Sequence, residues 1–80
     1  MHFVYILRSI SFPDQTYVGS THDIDDRLKD HNRGHSPHTS KYVPWELITY
    51  TVFSDQAKAL AFEKYLKTGS GRAFLHKRLL

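Results

Sequence analysis

The chain has 80 residues, a net charge of +3, 14% aromatic content and no cysteine. A chain this short buries a modest share of its surface and has room for one small core, and without cysteine neither disulfides nor thiolate-bound zinc can brace it. No apolar stretch approaches bilayer-spanning length and Met1-His2-Phe3-Val4 lacks a basic leader, so one soluble, cytoplasmic domain over residues 1–80, with no membrane partner, is expected.

His2 to Arg8 is a run of β-branched and aromatic residues that reads as a strand ending at Ser9. Ser11-Phe12-Pro13-Asp14-Gln15 carries turn chemistry, and Thr16 to Thr21 resumes strand character, so the two segments form a hairpin. Asp23 is placed to cap a helix with acids in its first turn, where the helix dipole favours them. Ile24 and Leu28 mark the buried stripe of that helix, and Gly34 ends it. Residues 35–44 are polar, hold two prolines and read as a loop. Trp45 to Phe53 is a third strand, and Ser54-Asp55 caps a second helix running to about Thr68. Gly69-Ser70-Gly71 breaks that helix, and a third runs from Arg72 to Leu80 with Phe74, Leu75 and Leu79 inward. The expected fold is α+β: a three-stranded antiparallel sheet flanked by helices, in the order ββαβαα.

Charge is divided unevenly. Residues 1–57 hold five Lys/Arg against seven acids, whereas residues 58–80 hold six against Glu63 alone. A basic last third beside a near-neutral body suits a polyanionic partner, and it equally suits a solubilising helix face.

Tyr5 and Tyr17 lie on the two strands of the hairpin, where both can face one side. Strand tyrosines more often sit at the edge of a core with a wet hydroxyl. Gly19 weakens its strand and signals either close approach by a ligand or helix, or a bulge. Arg27 and His31 are four apart, hence on one helix face at the margin of the Ile24/Leu28 stripe. Arg27 there can contact a phosphate or pair with Asp23 or Asp30; His31 can accept a proton near neutral pH or meet the helix dipole. Glu63 can hold a divalent ion with water and substrate oxygens, or pair with Lys67 one turn on. Together the set supplies what phosphodiester hydrolysis needs: a group to activate water, a cation for the developing charge, and a metal-binding carboxylate. His31, His35 and His38, with His22 upstream, resemble a histidine-rich zinc site, but Gly34 ends the helix between the first two and no acid completes a tetrahedron.

In order, these residues resemble the GIY-YIG nuclease superfamily. The first family triad falls on Phe3-Val4-Tyr5 and the second on Tyr17-Val18-Gly19; Arg27, His31 and Glu63 follow at family positions. The stretch from Glu63 to Phe74 looks most like the small stand-alone bacterial members. The resemblance implies an endonuclease or exonuclease acting on DNA in repair or on particular DNA structures, with one Mg2+ or Mn2+. Glu63 would ligate the metal, and Tyr17 would position or deprotonate the attacking water. Tyr5 and His31 would complete the proton network, and Arg27 would stabilise the pentacovalent phosphate. Arg33, Lys41, Lys67, Arg72, Lys77 and Arg78 would contact nucleic acid. Specificity would come from a homodimer, a protein partner or the shape of the nucleic acid. Three positions depart from larger or repair-type members. Ser20 replaces a lysine and His31 a tyrosine, and Leu75 falls near a third-helix asparagine, which implies weak activity unless Lys67, Ser70 or Arg72 compensates. The rival reading is a non-catalytic nucleic-acid-binding module on the same scaffold.

Overall fold

The computed structural model describes all 80 residues. Strands β1 (His2–Ser9), β2 (Thr16–Thr21) and β3 (Trp45–Phe53) form an antiparallel sheet in the order β2-β1-β3. Helix α1 (Ile24–Asn32) follows the hairpin, and α2 (Gln56–Leu66) and α3 (Gly69–Phe74) follow β3. The ββαβαα order is as expected, and no helix is long and apolar enough to cross a membrane.

The central strand explains why β1 reads as an unbroken apolar run. Successive side chains on a strand point to opposite faces, and here both faces are covered. Val4 and Ile6 pack with Ala59, Leu66 and Leu75 beneath α2 and α3. Tyr5 and Leu7 turn the other way, joining Trp45, with Ile24 and Leu28 of α1 packed against them. The sheet thus has two cores, one on each face, and β2 and β3 are its two edge strands.

The cap of α1 is as read: the Asp23 carboxylate accepts from the Asp26 N–H at 3.0 Å. Gly34 ends the helix with φ +77, a left-handed conformation that glycine adopts without penalty. The connection 35–44 is not simply a solvated loop. It contains a 3₁₀ turn at Ser40–Tyr42, and Thr39 is 1% exposed. Trp45 Nε1 donates to the Thr39 carbonyl at 2.9 Å, while the Asn32 side chain accepts from the Trp45 N–H at 2.6 Å. A large aromatic thereby pins the connection to the end of α1.

The C-terminal third differs in detail from the sequence reading. Helix α2 stops at Leu66 rather than Thr68, and Thr68 is itself the cap of α3, its Oγ1 accepting from the Gly71 N–H at 3.1 Å. Gly69, Ser70 and Gly71 therefore form the first turn of α3 instead of preceding it. Gly71 is required there, because a Cβ would lie 2.7 Å from the Leu66 Cα and collide with the Tyr65 carbonyl. Phe74, expected inward, is 37% exposed and lies against Tyr65 at 6.3 Å. Leu75 is the residue that turns into the core, and a wider π-type turn over Leu75–Leu79 lays Leu79 and Leu80 beside it.

Candidate active site

Tyr5 on β1 lies opposite Gly19 on β2, and Tyr17 lies opposite Leu7. The two tyrosines are therefore diagonal neighbours on one face, with ring centroids 6.2 Å apart. Gly19 makes this possible. A Cβ at that position would stand 2.6 Å from Tyr5 Cζ and 2.9 Å from a Tyr17 ring carbon. The close approach signalled by this glycine is made by the protein's own tyrosines, not by a ligand, a helix or a bulge.

His31 does not lie at the margin of the buried face; it is 0% exposed. The last turn of α1 directs the imidazole into the core beside both phenols, 5.9 Å from the Tyr5 ring and 4.9 Å from the Tyr17 ring. Its Nε2 is 2.9 Å from the Tyr5 hydroxyl and its Nδ1 is 2.9 Å from Thr39 Oγ1. Burial lowers its pKa, and the nearby Arg27 charge lowers it further. Tyr5 is also kept neutral: burial pushes its phenol up to about 12, outweighing the pull of Arg27. At neutral pH the pair is a protonated phenol against an uncharged imidazole. His31 is thus shielded from solvent, with its two ring nitrogens facing Tyr5 and Thr39.

Arg27 lies on the solvent side of this pair. Its side chain is 37% exposed and stands 4.0 Å from Asp30, a loose contact that leaves most of the guanidinium available. The Tyr5 oxygen beside it favours its charged form. Glu63 arrives from α2 on the opposite face of the sheet. It meets β2 through Ser20, whose Oγ donates to Oε1 at 2.8 Å, and its charge is felt by Tyr5. The ion pair with Lys67 forms as well, with Nζ donating to Oε2 at 2.9 Å.

A divalent cation fits Glu63 on the chemistry of its donors. A carboxylate has about four lone-pair sites, and two are taken here. No cluster of three His, Cys, Asp or Glu is present, so such an ion would draw its remaining ligands from water and substrate. Lys67 is 54% exposed and can swing clear. The histidine-rich zinc arrangement does not form: His31 uses both ring nitrogens in the core, and His35 turns to Asp30 at 3.6 Å.

The basic residues fall into two groups. Lys67 and Arg72 line a cleft of about 240 Å³ together with Tyr17 and His76, so two of the six are brought to the site. Arg33, Lys41, Lys77 and Arg78 are exposed outside that cleft, Arg33 pairing with Asp30 at 3.5 Å. Leu75, near the family asparagine position, is core and offers no polar group. Sequence reasoning missed Thr39 and His76 as neighbours of the site and gave Ser20 no partner. The only signal for Ser20 was its position next to Gly19, since Glu63 is 43 residues away.

The GIY-YIG catalytic domain model matches residues 1–77. The chain is 40% identical over 65 residues to a structure-specific endonuclease subunit, slx1, of Talaromyces marneffei, covering 74% of this chain but 17% of that protein. It is 29% identical over 68 residues to a UPF0213 protein of Haloquadratum walsbyi, covering 84% of this chain and 74% of that one. The solution structure of a UPF0213 protein from Bacillus halodurans superposes with a TM-score of 0.56 at 28% identity, covering 95% of this chain and 82% of that one.

Proposed function

The chain belongs to the GIY-YIG nuclease superfamily, and on that footing we propose that it is a divalent-metal-dependent nuclease that hydrolyses DNA phosphodiesters beside Tyr17 on the edge strand β2. The observation that carries this reading is the Tyr5 hydroxyl as a common neighbour. It is 2.9 Å from His31 Nε2, its ring centroid is 6.2 Å from that of Tyr17, and the charges of Arg27 and Glu63 both act on its protonation. A buried phenol and imidazole thereby stand behind a half-exposed guanidinium and a partly exposed carboxylate that a polyanion can approach.

Glu63 would hold Mg2+ or Mn2+, which when bound supplies Lewis-acid polarisation of the phosphate and charge for the leaving oxygen. Tyr17, half-buried and lining the cleft, orients the attacking water. The water's proton enters the tyrosine pair and is taken up by His31 behind Tyr5. Arg27 faces the charge that grows on the phosphate, where a fixed donor acts most strongly in the transition state. Lys67, Arg72 and His76 receive the flanking phosphates, and the leaving alkoxide takes its proton from solvent. The fungal relative is named a subunit of a structure-specific endonuclease; by analogy, branched or nicked DNA is the proposed substrate class, with a protein partner or a second copy supplying specificity.

The Lys67 ion pair on Glu63 favours the rival reading of a binding module. The deciding experiment is cleavage of labelled single-stranded, duplex and branched DNA by wild type and Glu63→Ala, with magnesium, manganese or EDTA. Metal-dependent cutting by wild type alone is expected. Salt-sensitive binding without cutting by either protein would establish the binding module instead.

A further inference from the structure

The nuclease reading assigns no task to Thr39, yet its hydroxyl is buried against the second nitrogen of His31. We propose that Thr39 is a positioning residue: by accepting from His31 Nδ1–H it fixes the imidazole tautomer that leaves Nε2 to receive the Tyr5 proton. The inference rests on the nuclease reading for its catalytic consequence, but not for the tautomer itself.

A neutral imidazole has one donor and one acceptor nitrogen, and the partner of one decides the role of the other. The direction of the hydrogens follows from the surroundings. The Thr39 hydroxyl has the Ser36 carbonyl at 3.4 Å as an outlet for its own proton, which leaves its oxygen to accept from Nδ1. With the hydrogen on Nδ1, Nε2 keeps its lone pair and accepts from the Tyr5 hydroxyl 2.9 Å away. Thr39 is also held in place: its carbonyl accepts from Trp45 Nε1 at 2.9 Å and from the Tyr42 N–H at 3.1 Å. The connection between α1 and β3 thus sets a proton on a ring that reaches β1.

The chemical consequence balances without a further reactant. As water loses a proton to the Tyr5 oxygen, the Tyr5 hydroxyl proton passes to His31 Nε2, giving hydroxide for attack and an imidazolium still bonded to Thr39. The opposite tautomer carries a hydrogen on Nε2 and has no lone pair to take that proton.

The test compares wild type, Thr39→Val and Thr39→Ser. Histidine tautomers are read by long-range 1H–15N correlation at about pH 8, above the ordinary histidine pKa, alongside kcat and KM. Wild type and Thr39→Ser should show His31 protonated on Nδ1. In Thr39→Val the orphaned buried donor drives the proton to Nε2, and kcat should fall about tenfold or more with KM little changed, in the range seen when a histidine loses its orienting partner. An unchanged tautomer in Thr39→Val overturns the proposal whatever the cleavage result. A shifted tautomer with unchanged kcat overturns the catalytic role. Absence of cleavage by wild type, with the tautomer shift present, overturns the nuclease reading and the catalytic half with it, while the tautomer half stands.

Discussion

The Tyr5 hydroxyl lies 2.9 Å from His31 Nε2, joining the central strand to the last turn of α1 across 26 positions of sequence. One hydrogen bond therefore both orients the candidate catalytic phenol and holds the helix on the sheet. The protonation of both groups is thus tied to the stability of the fold, and under the nuclease reading to activity as well.

Tyr5 should ionise apart from the other four tyrosines. Its folded pKa is about 12 against an ordinary 10, so the native state keeps this proton after the unfolded chain has lost it. Stability from Tyr5 is complete below about pH 10 and declines as pH rises toward 12. An ultraviolet titration should show a late phenolate step that Tyr5→Phe removes; loss of a different step in that variant would reassign the buried phenol.

His31 acts in the opposite direction. Burial lowers its folded pKa below the ordinary 6.5, so below that pH the unfolded chain binds the extra proton. Its contribution is complete above about pH 6.5 and is lost as pH falls. The melting temperature of wild type should drop between about pH 7 and 5 more steeply than that of His31→Gln. At neutral pH the variant should be about 1–3 kcal/mol less stable, from unsatisfied groups left on Tyr5 and Thr39. Parallel pH profiles would show that His31 is not the titrating group.

Gly19→Ala should destabilise the fold by about 1–3 kcal/mol, the usual range for overpacking a tight site. The cause is collision with the Tyr5 and Tyr17 rings and not backbone strain, because Gly34 is the only glycine with positive φ. Cleavage should fall further than the loss of folded protein explains, as both phenols are displaced. Chemical denaturation and a rate measured under folding conditions separate the two effects, and full activity in a folded variant would contradict this geometry.

Lys67→Met should tighten metal binding at Glu63, because the competing ammonium at 2.9 Å is gone. Titration with manganese, followed by electron paramagnetic resonance, should show a lower dissociation constant than wild type, and Glu63→Gln should show no site. A weaker manganese site in Lys67→Met would mean that the lysine orders the carboxylate instead of blocking it.

Local rules made much of the fold legible. Asp23 and Asp55 cap their helices through their own carboxylates, Gly34 supplies the left-handed terminus, and the hairpin follows from two β-rich runs around a Pro-Asp turn. Thr68 was less visible as a cap because glycines in the first turn of a helix look like a break. Phe74 and Leu75 were both read as inward from apolarity alone; only packing against Tyr65 and the sheet core separates them.

The candidate site divides along the same line. The sequence by itself determined the residue types: two strand tyrosines, Arg27 and His31 on one helix face, and a lone acid in a basic tail. Strand and helix periods place such residues within each element, and it was their order along the chain, which resembles the GIY-YIG pattern, that picked them out from residues with ordinary structural roles. The tertiary structure alone decided the rest. It buried His31, set Gly19 beneath the Tyr5 ring, brought Ser20 to Glu63 and Thr39 to His31, and opened the Tyr17 cleft between Lys67, Arg72 and His76. These relations depend on how three layers stack on one another. Hydrogen bonds between distant residues leave no period in the chain, so only the packed structure reveals them.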